Sequence, residues 1–214
     1  MKVFGSVILI IVLVSQCVLA SNPEANPSTN NKMKIGFRLG YGVDNSDVSD
    51  LSGVSAGVSL SPTSKSNYQL GLLFMWSFSE SLALRSGLTY SRRNVDQNVT
   101  TVSTTTRYEL GSSTADIPLA LQYSFADSDF SLFGGLIFAY SMSGDSSVGA
   151  FAFDVASTVT YLNFGINYDF AQLLGGKLGI GAEYQRGLSN TNSNPSPKIT
   201  SNSSLVALAW TKAL

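Results

Sequence analysis

The sequence predicts an all-β fold: an eight-stranded antiparallel up-and-down barrel that crosses a membrane, preceded by a signal peptide. Three observations carry this. Apolar residues recur with period two almost everywhere after residue 32, as in strands with one apolar face. Only 13% of the chain is charged, about half the usual soluble share of 25%. Past residue 20 no continuous apolar stretch approaches the roughly 20 residues of a spanning helix. Strands in a closed barrel are then the remaining way to satisfy backbone groups inside a bilayer.

The N-terminus reads as an export signal over residues 1–20. Lys2 gives the positive start, Val3–Val14 the apolar run, and Val18-Leu19-Ala20 the cleavage region before Ser21. Twelve apolar residues are too few to span. Lipidation at Cys17 is the alternative, opposed by the large Gln16 before it. Cleavage removes the only cysteine and leaves 12 Lys and Arg against 14 Asp and Glu, a net charge of −2. No disulfide is then available, and no basic block suggests a nucleic-acid partner. Residues 21–32 (SNPEANPSTNNK) form a polar Pro- and Asn-rich leader without periodicity, expected to be flexible and periplasmic.

Residues 33–214 form the barrel domain. The first strand places Ile35, Phe37, Leu39, Tyr41 and Val43 opposite Lys34, Gly36, Arg38, Gly40 and Gly42. The second puts Tyr68, Leu70, Leu72, Phe74, Trp76 and Phe78 on one face, and the third Leu82, Leu84, Leu88 and Tyr90. The fourth alternates Ile117, Leu119, Leu121, Tyr123 and Phe125 with small and polar residues. In the fifth, Phe130, Leu132, Leu136, Phe138 and Tyr140 share a face, with Phe133 and Ile137 on the other. Leu162, Phe164, Ile166, Tyr168 and Phe170 mark the sixth, Leu178, Ile180, Ala182 and Tyr184 the seventh, and Val206, Leu208 and Trp210 the eighth.

The connections alternate in length, as in barrels with short periplasmic turns and long outer loops. Short ones fall at Ser79–Ser81, Ala126–Asp129 and Ala171–Gly176; long ones at Asp44–Asn67, Asn94–Thr106, Ser141–Ser157 and Ser189–Ile199. Leu51–Leu60 is too rich in Ser and Gly to bury much and is assigned to the first long loop.

Volume decides which face is outside. A soluble barrel around a ligand would turn the bulky face inward, but eight strands enclose only enough room for modest side chains or one small ligand. The bulky face must therefore meet lipid. Aromatic residues near the strand ends then form interfacial girdles: Tyr41, Tyr68, Phe78, Tyr90, Phe125, Phe130, Tyr140, Phe170 and Tyr184. The charges on the small-residue face, Lys34, Arg38, Arg85, Asp169 and Glu183, point into the lumen and need partners there.

Several short runs resemble the PorT-like outer-membrane β-barrel domains of bacteria. They are Lys34–Gly42 (KIGFRLGYG), Leu82–Arg92 (LALRSGLTYSR), Ile117-Pro118-Leu119 with Ala120–Tyr123, and Phe133-Gly134-Gly135. The chain departs from the usual aromatic finish of such barrels, closing on Trp210-Thr211-Lys212-Ala213-Leu214. The resemblance implies the fold and an outer-membrane, cell-envelope location. It does not imply one function, since some relatives act in protein secretion. It also implies lipid, lipopolysaccharide and the barrel-assembly machinery as partners. The lumen charges then read either as a salt-bridge plug or gate, as in OmpA-like barrels, or as a purely stabilising network.

No enzymatic site is expected. The chain has no histidine, which removes the commonest general base and metal ligand. No phosphate loop and no metal-ligand spacing occurs. Asp44, Asp47 and Asp50 form a loose acidic series read as a solvated loop, without the Gly and closing Glu of a calcium loop. No cofactor is expected. Two function classes follow: a structural or surface-interaction barrel with an unidentified envelope or surface partner, or a transport-related barrel, either a small pore or a secretion accessory.

Overall fold

The structure is a computed structural model, and it describes residues 33–49, 59–100, 104–146, 156–191 and 198–214. The expected signal peptide and leader lie outside the described residues. Among the described residues nine strands occur: β1 (Met33–Ser49), β2 (Ser59–Thr63), β3 (Lys65–Ser77), β4 (Leu82–Thr100), β5 (Thr105–Ser124), β6 (Phe130–Ser146), β7 (Thr158–Leu173), β8 (Gly176–Gly187) and β9 (Lys198–Ala213).

Eight of them close into a barrel. Neighbours run β4-β3-β1-β9-β8-β7-β6-β5, and β5 returns to pair with β4. Every pairing is antiparallel, and the terminal strands meet in the wall from Lys34↔Ala213 to Ser49↔Lys198. Short turns at Phe78–Ser81, Phe125–Asp129 and Leu174–Gly175 lie at one end (the turn end), with Met33 and Leu214. Closure leaves the barrel without free edges within the wall, which a membrane demands.

The strands run further at the opposite, loop end than the apolar pattern indicates. Asn94–Thr106, expected as a connection, is mostly ladder: β4 and β5 stay paired to Thr100↔Thr105. The first long connection is likewise shortened, since β1 reaches Ser49 and β2 pairs with β4 from Ser59↔Thr100 to Thr63↔Asp96. β2 thus includes Ser59 and Leu60 of the segment expected to be loop; the rest of that segment lies outside the described residues. β6 extends to Ser146, and β7 to Leu173 at the turn end. At the loop end the physical reason is common. Beyond the lipid both faces meet water, so alternation fades while the backbone ladder continues, on β4 and β5 through Val- and Thr-bearing sequence of high strand propensity.

Facing follows residue parity. Phe37, Leu39, Tyr41, Leu70, Leu121, Phe164, Ile166, Val206 and Leu208 project outward and are exposed, Tyr41 by 65%. Their neighbours Arg38, Gln69, Asn163 and Ala207 are buried inside. A continuous apolar belt on the outer wall has lipid as its natural solvent. Cross-strand rings reinforce it: Phe37 stacks on Trp210 at 6.2 Å, and Phe130 meets Tyr168 at 4.6 Å. The folded chain in detergent should therefore give a β-dominated far-ultraviolet spectrum and migrate differently on a gel before and after heating. A helix-dominated spectrum would contradict the architecture.

Candidate functional site in the lumen

The inward side chains build two arginine-centred layers. In the first, Arg38 of β1 meets Glu183 of β8 at 2.7 Å, and Arg85 of β4 reaches the other oxygen of the same carboxylate at 3.4 Å. Arg85 also lies over the ring of Phe133 from β6, 4.1 Å from its centroid, a cation–π contact. Phe133 is an apolar residue on the polar face, and it is accommodated by Gly165 of β7. A Cβ at Gly165 would run into the Phe133 ring. One aromatic and one glycine thus seat a guanidinium across the barrel.

The second layer is centred on Arg93, eight residues further along β4. Its Nη2 meets Asp116 at 2.6 Å, and its Nη1 donates to Gln185 Oε1 at 3.0 Å and Ser203 Oγ at 3.2 Å. Asp116 also accepts from Ser91 Oγ and Thr114 Oγ1, each at 2.6 Å. The Arg93 guanidinium lies 4.2 Å from the Tyr161 ring centroid, and Tyr161 shares a hydrogen bond with Ser201. Asp44 completes the layer, accepting from Asn67 Nδ2, Ser203 Oγ and the Asn94 backbone N–H.

The two layers are neighbours along β8 and carry opposite formal charge. Glu183 and Gln185 occupy successive inward positions on β8, and Gln185 Oε1 also accepts from Gln69 Nε2 at 3.3 Å. Arg38, Arg85 and Glu183 leave the first layer with one excess positive charge. Arg93, Asp116 and Asp44 leave the second with one excess negative charge. The six formal charges sum to zero, which suits burial in a low-dielectric interior. All six charged residues are 5% exposed or less.

Below the first layer, a cavity of about 360 Å³ opens at the turn end. Arg85 and Gln122 line its inner part, with Lys34, Asn167, Asp169 and Lys177 around it. Two of the five expected lumen charges therefore stand apart from the buried layer. Asp169 pairs with Lys177 at 3.7 Å, half exposed, and Lys177 also reaches Asp129 at 3.5 Å. Lys34 lines the cavity mouth and is partly exposed. The expectation of one network joining all five residues is thus corrected to a buried triad of Arg38, Arg85 and Glu183 with two vestibule charges.

Arg93, Asp116, Gln69, Gln185, Tyr161 and Phe133 are lumen groups beyond the five expected charges. Parity carries the signal for all six: Gln69 lies between Tyr68 and Leu70, Gln185 shares the face of Glu183, Phe133 already falls on the polar face, Tyr161 keeps the parity of Asn163, Arg93 that of Arg85, and Asp116 that of Ala120 and Gln122. Strands that end at the last apolar residue leave out Arg93, Asp116 and Tyr161. Asp44, expected in a solvated loop, is a buried member of β1; Asp47 is also in β1 and accepts from Asn202 at 2.7 Å. Asp50 lies outside the described residues. Among the described residues no group of three or more His, Cys, Asp or Glu could hold a metal ion.

The nine girdle residues divide by type. Phe78, Phe125, Phe130 and Phe170 lie toward the turn end, and Tyr41, Tyr68, Tyr90, Tyr140 and Tyr184 toward the loop end. All are exposed on the outer wall except Tyr184, which is half-buried against Phe164 at 5.3 Å.

A closed barrel of eight strands, apolar outside and polar inside, defines a small transmembrane barrel protein. The family model for the outer membrane protein beta-barrel domain matches residues 20–193, and the chain belongs to that family. Among solved structures, the outer membrane protein OprG from Pseudomonas aeruginosa is 14% identical, with 85% of this chain and 96% of that chain covered and a TM-score of 0.53. The outer membrane protein AlkL, solved in lipid bilayers, is 14% identical over 91% and 96% of the two chains, with a TM-score of 0.49. Ail, the attachment invasion locus protein of Yersinia pestis, is 12% identical over 84% and 99%, with a TM-score of 0.40. No curated protein matches the sequence.

Proposed function

We propose that this outer-membrane β-barrel protein has a structural or surface-interaction role in the bacterial envelope, with a lumen filled by side chains and no open pore. The observation that carries the reading is the pair of buried arginine layers that cross the lumen above the turn-end cavity. Its wall contacts outer-membrane lipid and lipopolysaccharide, and the barrel-assembly machinery inserts it. Export uses the N-terminal signal. The β4–β5 hairpin, paired from Ser91 to Thr100 beyond the belt residue Tyr90, offers a stiff platform for an envelope or surface partner. Catalysis is not part of this reading, because a serine in a chain without histidine has no evident activating base.

In planar bilayers the wild-type chain should pass little or no steady ion current, because each layer blocks the path with paired charges and an aromatic ring. Large, stable conductance would refute the filled-lumen reading. The turn-end cavity favours a second reading, a transport-related barrel, either a small pore or a secretion accessory. On that reading Glu183→Gln should produce channel openings by freeing Arg38 and Arg85. On the structural reading the same change should lower stability without current. Crosslinking in native membrane followed by co-purification would identify the surface partner.

A further inference from the structure

The three short turns differ sharply in chemistry. Two are polar, with Ser79-Glu80-Ser81 and Ala126-Asp127-Ser128-Asp129 at their tips. The third, between β7 and β8, reads Leu173-Leu174-Gly175-Gly176. Leu174 and Gly175 form its corner at φ 53° and 73°, a hairpin geometry that normally selects Asn, Asp or Gly. Leucine here defies both turn chemistry and solubility: Leu174 is 81% exposed and Leu173 is exposed beside it.

This tip is continuous with the lipid-facing wall. Trp210, on the outer face of β9, donates its indole N–H to the Leu173 carbonyl at 2.8 Å. Its ring covers Gly176, where a Cβ would collide with the indole. On its other side the ring stacks on Phe37 of the apolar belt. Lys212 is the next outward position on β9 beyond Trp210. Its ammonium lies beside Gly175, 3.8 Å from where a Cβ there would stand. None of the ion pairs among the described residues involves Lys212.

We propose that the β7–β8 turn is a phospholipid-docking anchor: Leu173 and Leu174 enter the leaflet on the turn side, and Lys212 holds a headgroup phosphate. The order from the belt outward is aromatic, indole, leucine pair and ammonium. That sequence matches the passage from acyl chain through interface to phosphate. A leucine in a left-handed turn is a poor choice for water but a sound one for the interface. The other two turns carry an exposed phenylalanine, Phe78 or Phe125, before a polar tip, whereas the β7–β8 turn is apolar through its tip.

The test uses the full chain carrying Cys17→Ser, with a single cysteine introduced as Leu174→Cys, or as Asp127→Cys on the polar β5–β6 turn. Each is labelled with an environment-sensitive fluorophore and refolded into vesicles of phosphatidylcholine with phosphatidylglycerol. Heat-modifiable migration checks that each variant has folded, and Leu173→Cys serves if Leu174→Cys does not fold. Headgroup-proximal nitroxide lipids should quench the Leu174 label several-fold more strongly than the Asp127 label, and aqueous iodide should do the reverse. Adding Lys212→Gln should abolish the extra lipid quenching that phosphatidylglycerol gives over phosphatidylcholine alone. Equal iodide access at both tips would overturn the anchor. Lipid quenching that ignores both Lys212→Gln and headgroup charge would overturn the phosphate contact.

Discussion

Glu183→Gln should destabilise the barrel by about 3–5 kcal/mol, the cost of removing one partner from a buried ion pair. Glutamine keeps the size and shape of glutamate, so no cavity opens and the loss is electrostatic. Arg38 at 2.7 Å and Arg85 at 3.4 Å share this one carboxylate, and its side chain is fully buried. Without it two guanidinium groups face each other in the lumen, with only the Phe133 ring to moderate Arg85. Reversible urea unfolding from liposomes measures the change. A loss below about 1 kcal/mol, the scale of an exposed surface pair, would mean that the layer is hydrated and not a sealed plug. Adding Arg38→Gln to Glu183→Gln should recover part of the loss by lowering the uncompensated charge, an interaction that a double-mutant cycle isolates.

Phe164→Arg should cost about 2–4 kcal/mol, the penalty for a cation on the lipid face near the midplane of a barrel. Phe164 lies on the outer wall of β7, opposite Gly134 on one side and Tyr184 on the other. Its ring is 49% exposed to what is lipid in the membrane, and it packs on Tyr184 at 5.3 Å. Arginine would lose that ring contact and have to snorkel past the belt to reach water. One residue away, Asn163 points into the lumen and is buried. Asn163→Ser should cost clearly less, because the lumen supplies other polar groups and serine is smaller. Equal costs at 163 and 164, measured by the same unfolding from liposomes, would mean that the two faces do not differ in solvent.

Much of this molecule was legible in one dimension. Parity along each strand separated Phe37 from Arg38 and Phe164 from Asn163 without any knowledge of pairing, and the small volume of an eight-stranded barrel turned the bulky face outward. The strand ends were less legible. Val99, Thr100 and Thr105 continue a ladder in water, where no apolar face marks the strand, so Arg93 and Asp116 were lost with the segments that carry them.

The sequence by itself determined the strand count of the barrel, the inside and outside of each strand, and which charges had to seek partners in the lumen. All of these follow from local periodicity and charge. Only the tertiary structure decided who the partners are. Glu183 serves Arg38 and Arg85, residues 145 and 98 positions away in sequence, while Lys34 and Asp169 share their parity yet remain in the vestibule. Depth in a closed barrel depends on the stagger between strands and on the lean of each side chain. Both are set when β1 meets β9 and the wall closes, so no single strand contains the information.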